Sequence, residues 1–305
     1  MGVLGWLGLG TGTALAGSPE PSGAAPTGDA SPVAPGTEGS AGSALEVSVQ
    51  GERAPLVRSA SQTTRERDVL AACPHRTGGD LLQEVPGVFI TQHSGQGKAY
   101  QIFYRGFDAV HGQDLELQVA GAPVNEVSNI HGQGYADLHF VPPEVVSRIT
   151  ILPGNYSPEQ GDFAVAGTIR YELGYEEPGV TAKATSGSFG ERRVFLAYHP
   201  SQAPAATFAA FENQRTDGFG PDRAASRTSA IAQGAWEVSG GRLRLMSSGY
   251  AGRFDSPGVV ALADLDAGRL GRFDTYGVAQ GGFSSRYQLV GQYDAEQGDG
   301  ARLEL

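Results

Sequence analysis

Histidine is the residue type in this chain best suited to chemistry, and five of the six histidines fall between positions 75 and 139. They are His75, His93, His111, His131 and His139. Imidazole binds transition metals, so a metal or a metal chelate is one ligand that this group could take. No two of them have the four-residue spacing of ligands on one helix face, and no acidic or cysteine cluster completes a site. We therefore predict no dedicated metal site and no cofactor.

The sequence contains none of the common catalytic signatures. It has no G-x-S-x-G nucleophile turn, no H-E-x-x-H zinc motif and no phosphate-binding P-loop. The glycines at 95 and 97 lack the strand-turn-helix setting of a nucleotide loop. We predict that the protein is not an enzyme.

The charge balance and the cysteine content exclude further classes of site. Lys and Arg total 22 against 33 Asp and Glu, a formal net charge of −11. Nucleic-acid binding needs a basic face, so we predict no nucleic-acid partner. The single cysteine, Cys73, excludes an internal disulfide framework. With 45 glycines and only 18% charged residues, the composition favours short strands and turns over helices.

Three segments precede the first compact region. Residues 1–17 have the apolar stretch and the small-residue cleavage pattern of an export signal, although the positively charged start is missing. Residues 18–44 are nearly all Pro, Gly, Ser, Ala and Thr, which predicts a flexible linker. Within 45–52, Leu45-Glu46-Val47-Ser48-Val49 alternates like a strand. Such a strand could join the sheet edge of another protein, or it could be the first strand of the next domain.

Residues 53–177 predict an α+β domain. A short helix begins near Asp80 and ends at Pro86-Gly87. Pro143 favours a second short helix near Glu144. Loops rich in Gly, Asn, His and Gln separate the strands, which we predict at 88–91, 100–104, 115–119, 147–152 and 167–171.

Residues 178–305 predict an antiparallel all-β region. In the clearest stretch, apolar or small residues at 287, 289, 291, 293 and 295 alternate with polar ones at 286, 288, 292 and 294, and only Val290 is out of step. A soluble β-sandwich would give the same pattern. A barrel needs roughly 9–11 residues per membrane strand, so this stretch holds about six to eight strands. If these strands span a membrane, they form a partial transmembrane β-barrel cut short in a fragment, because an open sheet cannot span a membrane. The pattern alone leaves this and the β-sandwich open.

Four segments of the α+β domain, in order, resemble the plug domain of TonB-dependent outer-membrane receptors. Residues 80–88 are similar to the family's DLL…VPGV opening, and residues 104–107 to its RGF segment. Residues 119–125 resemble its IDGVPLN turn. Residues 148–154 followed by 161–169 resemble RIEVLRGP…AIGGVINI. The sequence departs from the family at Ala120, where Asp is usual, and at Pro153, where Arg is usual.

The resemblance implies a receptor with a barrel of about 22 strands in the outer membrane, present as a monomer. It implies that Glu46, Val47, Ser48, Val49 and Gln50 form a TonB box, the segment that pairs with TonB and its ExbB/ExbD energy complex. It also implies that the plug arginines Arg105 and Arg148 pair with glutamates on the inner barrel wall. The alternative for each arginine is an exposed position on a loop.

The resemblance further implies that two plug loops face the external vestibule and bind the cargo. Their Asn, Gln, His and Tyr side chains offer hydrogen bonds and stacking surface. The predicted substrate-binding residues are His93, Gln96, Tyr100, Asn125, Asn129, His131, Gln133 and Tyr135. The alternative is that these residues only shape the plug loops.

The function implied is energised import of a scarce small molecule or metal chelate, such as a siderophore or cobalamin, by rearrangement of the plug. Two alternatives remain. The receptor could signal ligand binding to a periplasmic partner, but residues 18–44 have too few apolar side chains to form a signalling domain. The chain could also be a truncated product that does not transport.

Overall fold

The structure is a computed structural model that describes residues 61–93, 96–238, 240–296 and 302–304. The predicted export signal, the linker and the TonB box all lie outside the described residues. The described part contains three sheets and a few short helices.

The centre of the N-terminal half is a five-stranded sheet in the order β1-β7-β8-β5-β6. Strands β5 and β8 are parallel, and the other neighbours are antiparallel. Strand β5 is buried at every position, as expected for a strand covered on both faces. The five strands are β1 (Thr63–Glu66), β5 (Leu115–Val119), β6 (Ala122–Pro123), β7 (Val146–Pro153) and β8 (Gly167–Leu173).

A three-stranded sheet and short helices pack beside this sheet. The small sheet contains β2 (Val88–Thr91), β3 (Gln101–Tyr104) and β4 (Phe107–Asp108), and the helices are α1 (Arg67–Ala72) and the 3₁₀ helices Gly78–Glu84 and Pro143–Val145. A capping box starts the helix at Gly78: Thr77 accepts from the backbone N–H of Asp80, and Asp80 accepts from that of Thr77. Leu81 and Leu82 from this helix join the core.

The C-terminal half is a seven-stranded antiparallel sheet in which each strand pairs with its neighbours in sequence. A short helix, α2 (Leu262–Asp266), lies in the connection between the fifth and sixth strands. The strands are β9 (Gly179–Ser186), β10 (Arg192–His199), β11 (Phe208–Thr216), β12 (Ala225–Val238), β13 (Gly241–Asp255), β14 (Gly281–Glu296) and β15 (Arg302–Glu304).

The two faces of this sheet are reversed relative to a soluble sheet. The face against the N-terminal half is mixed: buried apolar side chains such as Phe195, Phe208, Ile231 and Met246 lie beside buried charged and polar ones. The polar ones include Glu212, Gln214, Arg227 and Gln233. The opposite face is exposed and apolar, with Val194, Leu196, Tyr198, Phe211, Trp236, Tyr287 and Leu289. Charged and polar groups inside with an exposed apolar exterior are the pattern of a transmembrane barrel. The structure thus favours the partial barrel over the β-sandwich.

The predicted elements agree with the structure to within one or two residues at their ends. Strands β2 and β5 have the predicted bounds, and β3, β7 and β8 differ slightly. The helix near Asp80 is present as a 3₁₀ helix. Strand β1 and helix α1 were not predicted, since each is too short to show a periodic pattern. No helix among the described residues is long and apolar enough to cross a membrane.

Candidate functional site

The loop at 125–135 folds back on itself beside the barrel sheet. Glu126 and Tyr135 form an isolated β-bridge, with a 2.9 Å bond from the Glu126 N–H to the Tyr135 carbonyl. The Asn129 amide donates to the Glu126 carboxylate at 2.6 Å, and the His131 N–H donates to the Asn129 side chain at 2.9 Å. These bonds hold the predicted ligand residues at the tip of one ordered loop.

Three histidines from separate parts of the sequence meet at this loop. The ring of His111 lies 5.4 Å from that of His93 and 4.5 Å from that of His131, between centroids. The Tyr135 ring lies 5.5 Å from His111, and the Tyr135 hydroxyl accepts from the Ala99 N–H at 2.8 Å. Of the predicted residues, the structure therefore brings His93, His131 and Tyr135 together.

The electrostatics of this group favour neutral imidazole at its centre. Burial lowers the pKa of His111, and the neighbouring His131 and His93 lower it further, against a raising contribution from the Tyr100 carbonyl. Burial also raises the pKa of Tyr135 to about 12. No three His, Cys, Asp or Glu side chains in the described ranges are arranged to hold a metal ion. The cluster therefore offers stacking surface and hydrogen bonds.

Asn125 corrects one prediction. Its side chain is buried, and it accepts from the Leu117 N–H at 2.8 Å. Its amide nitrogen donates to the carbonyls of Gly112, Leu115 and Gly134 at 2.9, 3.0 and 3.1 Å. All of these bonds are inside the N-terminal half, so Asn125 fixes the turn and has no hydrogen-bonding group left for cargo.

Tyr100 belongs to a second network of side-chain contacts, with Asp80, His139 and Asp137. Its hydroxyl donates to Asp80 at 2.5 Å, and its ring stacks on His139 at 5.9 Å with an interplanar angle of 10°. His139 in turn contacts the Asp137 carboxylate at 2.5 Å. Burial acts to raise the pKa of Asp137, but His139 outweighs it and the pKa lies below its usual value. Burial is also the main cause of the raised pKa of Tyr100.

Two cavities lie between these networks and the barrel sheet. The β14 cavity, of about 290 Å³, is lined by Asn129, His131 and Tyr135 and by the barrel residues Tyr250 and Arg286. The Arg223 cavity, of about 400 Å³, is lined by Gln92, Gln96, Tyr100 and His139 and by residues from the connections between barrel strands. Both volumes are in the size range of small-molecule sites. Gln133 is exposed and lines neither cavity.

A buried ion cluster joins the N-terminal half to the barrel sheet. Arg193 on β10 donates to both carboxylate oxygens of Glu144 at 2.7 Å, and its Nε donates to Glu212 on β11 at 2.6 Å. Arg227 on β12 donates to Glu212 at 3.0 Å and to the Arg76 carbonyl at 3.0 Å. Burial alone would raise the pKa of Glu144, but its bonds to Arg193 hold the pKa below its usual value. Each buried charge in the cluster is thus paired with an opposite charge, which offsets its loss of hydration.

Arg105 and Arg148, the two arginines predicted to pair the plug with the barrel wall, lie outside this ion cluster. Arg148 on β7 lies opposite Glu66 on β1 and Glu172 on β8, and it pairs with both, at 2.9 and 3.5 Å. Its sheet register therefore gives Arg148 acidic partners inside the plug, and its pairing with the barrel stays a prediction. Arg105 is exposed in the tight turn between β3 and β4, with a φ of 49°. It has no ion pair among the described residues, and its pairing with the barrel stays a prediction.

The sequence did not reveal the residues that make the ion cluster, and of those that line the Arg223 cavity it predicted only Gln96 and Tyr100. Arg193, Glu212 and Arg227 lie at inward positions of three different strands, and only the strand register brings them together. The one available signal was strand alternation, which places charged residues on an otherwise buried face. Arg223 lies in a connection between strands, where no periodicity marks it.

Comparison with known proteins agrees with this architecture. A family model described as the TonB-dependent receptor plug domain matches residues 57–168. The structure of the ferric citrate transporter FecA without ligand superposes with a TM-score of 0.61 and 16% identity, over 80% of this chain and 38% of that chain. The copper transporter OprC gives 0.57 and 16%, over 80% and 36%.

The ferric yersiniabactin uptake receptor FyuA from Yersinia pestis gives a TM-score of 0.54 and 16% identity, over 78% of this chain and 38% of that chain. At these identities the three likenesses show the fold alone. The chain spans well under half the length of each of these receptors, and the strands β9–β15 correspond to part of a barrel. Residues 57–168 thus match the plug domain of TonB-dependent receptors, and the described chain has the fold of such a plug joined to part of a β-barrel.

Proposed function

We propose that this chain is the plug and first barrel strands of a receptor that imports a scarce solute across the outer membrane, with energy from TonB. The observation that carries the proposal is the buried Glu144–Arg193–Glu212–Arg227 cluster, which fastens the plug to the inner barrel wall beside two cavities. A plug held by a small set of ion pairs can be released by a pull. No chemistry on the cargo is proposed.

The strand connections support an orientation for the cargo side. Residues 217–224 and 256–280 connect strands at one end of the sheet, because Ala225 pairs with Phe254 next to both. At the other end, β12 stops at Val238 and β13 begins at Gly241. Barrels of this class have long loops outside and short turns on the periplasmic side. The Arg223 cavity is lined by Phe219 and Arg223, at the end of the sheet that carries the long 256–280 connection, so it would face the outside.

The proposed coupling begins at residues 46–50, a TonB box by resemblance, which would pair with TonB while ExbB/ExbD supply the energy. A pull on this segment reaches the plug first at β1, which pairs with β7. Strand β7 follows the short helix that carries Glu144. A pull on β1 therefore acts near the ion cluster, and breaking that cluster would free the plug from β10.

Uptake by a strain that lacks the receptor gene tests the proposal. We expect a loss of uptake of one member of a panel of iron chelates, cobalamin, nickel and copper, restored by the complete gene. Val47→Pro should fail to restore it, since proline cannot donate to a sheet ladder. The control is Val33→Pro in the predicted linker, which already contains prolines and should restore uptake. Unchanged uptake of every solute, or equal activity of the two variants, contradicts energised import.

A further inference from the structure

A row of three arginines crosses the outward face of the barrel sheet, near the end that carries the long connections. The strand register places Arg192 on β10 opposite Arg215 on β11, which in turn lies opposite Ser226 on β12. Ser226 lies opposite Arg253 on β13. All four residues are exposed, on the face that is turned away from the plug. We call Arg192, Arg215, Ser226 and Arg253 the arginine row.

The positive charge of the arginine row is poorly balanced within the chain. Arg192 and Arg215 are direct cross-strand partners, and like charges in this position repel each other. Arg192 and Arg253 have no ion pair among the described residues. Arg215 approaches Asp217 at 3.8 Å, but both side chains are mostly exposed, so this pair contributes little. An anion from outside the chain would neutralise the row and relieve the repulsion.

A shallow notch of about 530 Å³ lies next to the row, on the side of the sheet centre. Ser226 and Arg253 form its edge, and Phe283, which is 80% exposed, borders it beside Arg253. Its floor is formed by the next outward positions of four adjacent strands, all with short side chains: Asn213, Thr228, Ala251 and Ser285. The notch therefore combines a charged edge, hydroxyl groups and an aromatic wall.

The row lies at the expected depth of lipid headgroups. Ten residues of β12 separate Ser226 from Trp236, which is half exposed on the same face at the short-turn end. At about 3.4 Å per residue and a tilt of about 40°, they rise roughly 26 Å, close to the apolar band of about 25 Å in such barrels. Tryptophan is enriched at membrane interfaces, so Trp236 marks one interface and the row the other.

The chemistry of the site fits the phosphate of a membrane lipid. A guanidinium donates two parallel hydrogen bonds to phosphate oxygens, and three guanidinium groups lie within one row. Below the notch, the outward face is apolar, with Leu196, Phe211, Tyr287 and Leu289. A lipid would use the row, the notch and this apolar face together, whereas an anion in solution would use only the row.

We propose that the arginine row and the notch bind the phosphate headgroup of an anionic lipid in the outer leaflet. The phosphate lies over Ser226, between Arg215 and Arg253, which are two strands or about 10 Å apart. The hydroxyls of Ser226 and Thr228 donate to its oxygens, and an acyl chain packs beside Phe283. The site is on the outside of the barrel, away from the plug and its cavities. It rests on the proposed orientation of the barrel in the membrane but not on the cargo.

Native mass spectrometry of the complete receptor tests the site, with the protein released from detergent micelles that contain dioleoyl phosphatidate or dioleoyl phosphatidylcholine. The two lipids share their acyl chains, but only phosphatidate carries an uncompensated negative charge. We expect phosphatidate to bind roughly a hundredfold more tightly, because each basic side chain at an anionic lipid surface contributes a factor of about five. The combined variant Arg192→Gln, Arg215→Gln and Arg253→Gln should bind both lipids equally. Arg242→Gln removes the same charge at the short-turn end and should leave the preference unchanged.

A second pair of variants tests the notch without changing any charge. Ala251→Phe fills the notch and should lower the affinity for phosphatidate by about tenfold, the loss expected when a bound group no longer fits. Ala209→Phe makes the same change at an exposed outward position of β11 that is not part of the notch, and it should bind normally. This pair keeps the proposal testable if the arginine variant does not fold.

Equal binding of the two lipids by the wild-type receptor, or unchanged phosphatidate binding by the folded arginine variant, overturns the proposal. Equal phosphatidate binding by Ala251→Phe and Ala209→Phe does the same. Displacement of phosphatidate by an equal concentration of inorganic phosphate indicates a site for soluble anions and contradicts a lipid site. Cargo and TonB are absent from these measurements, so a failure of the lipid site and a failure of energised import are distinguishable.

Discussion

Glu144 and Arg193 show how two charged residues can lie at a buried boundary. Each is more than four-fifths buried at the side chain, so desolvation opposes its charge. Two hydrogen bonds between the guanidinium and the carboxylate, together with Glu212 and Arg227, offset that cost. Here the plug contributes the acid and the barrel the base. The resemblance implied pairs of the opposite polarity, from plug arginines to barrel glutamates, and this pair was not predicted from the sequence.

Replacing Glu144 with glutamine should loosen the plug. The change removes the plug partner of Arg193 but leaves Glu212 beside it, so we expect a loss of about 1–3 kcal/mol in plug stability. Urea-dependent hydrogen exchange of the plug strands measures this loss. Glu237→Gln is the control, because Glu237 pairs with Arg242 at 2.8 Å on an exposed surface and should cost little. Equal effects from the two variants argue against a buried latch.

The same pair predicts a dependence on pH. The pKa of Glu144 in the folded protein lies below its ordinary value of 4.5, so its contribution is fully present above pH 4.5. It is lost as the pH falls through the lower folded-state value. We expect the difference in thermal midpoint between wild type and Glu144→Gln to be constant from pH 8 to about pH 5 and to shrink at lower pH. A difference that stays constant down to pH 3 contradicts this linkage.

Residue type predicted only in part which loop side chains come together. Of the predicted substrate-binding residues, His93, His131 and Tyr135 do meet, around His111, and their role in binding stays a prediction. Asn125 has the same polar chemistry as Asn129 but faces inwards. Side-chain chemistry is visible in a sequence, but the direction of a side chain in a loop is not.

At the scale of elements, Asn125 belongs to the segment after β6, which folds back against β5. It closes four hydrogen bonds between β5 and the neighbouring loops. Asn125→Ala leaves a buried donor and several carbonyls unsatisfied, so we expect a loss of about 2–3 kcal/mol, seen as a lower unfolding midpoint in urea. Asn129→Ala removes two bonds, to Glu126 and from the His131 N–H, but in a half-buried part of the loop where water can replace them, so it should cost less than about 1 kcal/mol. Similar losses would contradict the structural role of Asn125.

Local sequence predicted the plug strands well because their apolar runs end at Gly or Pro. The ends of the barrel strands were harder to predict. Strands β12, β13 and β14 have 14, 15 and 16 residues, longer than the roughly 9–11 that cross a membrane. The additional residues extend the sheet beyond the apolar band, and there is no change in alternation to mark where the membrane ends. Strand number could be predicted from length, while strand ends could not.

At the scale of the whole molecule, the question was which face of the alternating sheet is buried. Periodicity separates Tyr287 and Leu289 from Arg286 and Gln288 but does not say which pair meets water. The position of the plug shows which face is buried, because the plug packs against the face that carries Arg286. Arg286 donates to the plug carbonyl of Val124 at 2.7 Å. Leu289 faces away from the plug and is 81% exposed. The apolar face is therefore left for lipid.

Two neighbouring residues at the middle of β14 test this arrangement. Leu289→Arg places a charge on the lipid face, at an expected cost of about 2–4 kcal/mol near the bilayer midplane. Gln288→Arg places the same charge on the inner face, beside the Ser248 hydroxyl, where polar groups and water are available and the cost should be small. The urea midpoint for unfolding of the receptor from lipid vesicles measures both. If β9–β15 instead formed part of a soluble sandwich, Leu289→Arg would be tolerated at an exposed site and the variant would fold without lipid. A larger loss for Leu289→Arg, present only in vesicles, is the outcome that a barrel requires.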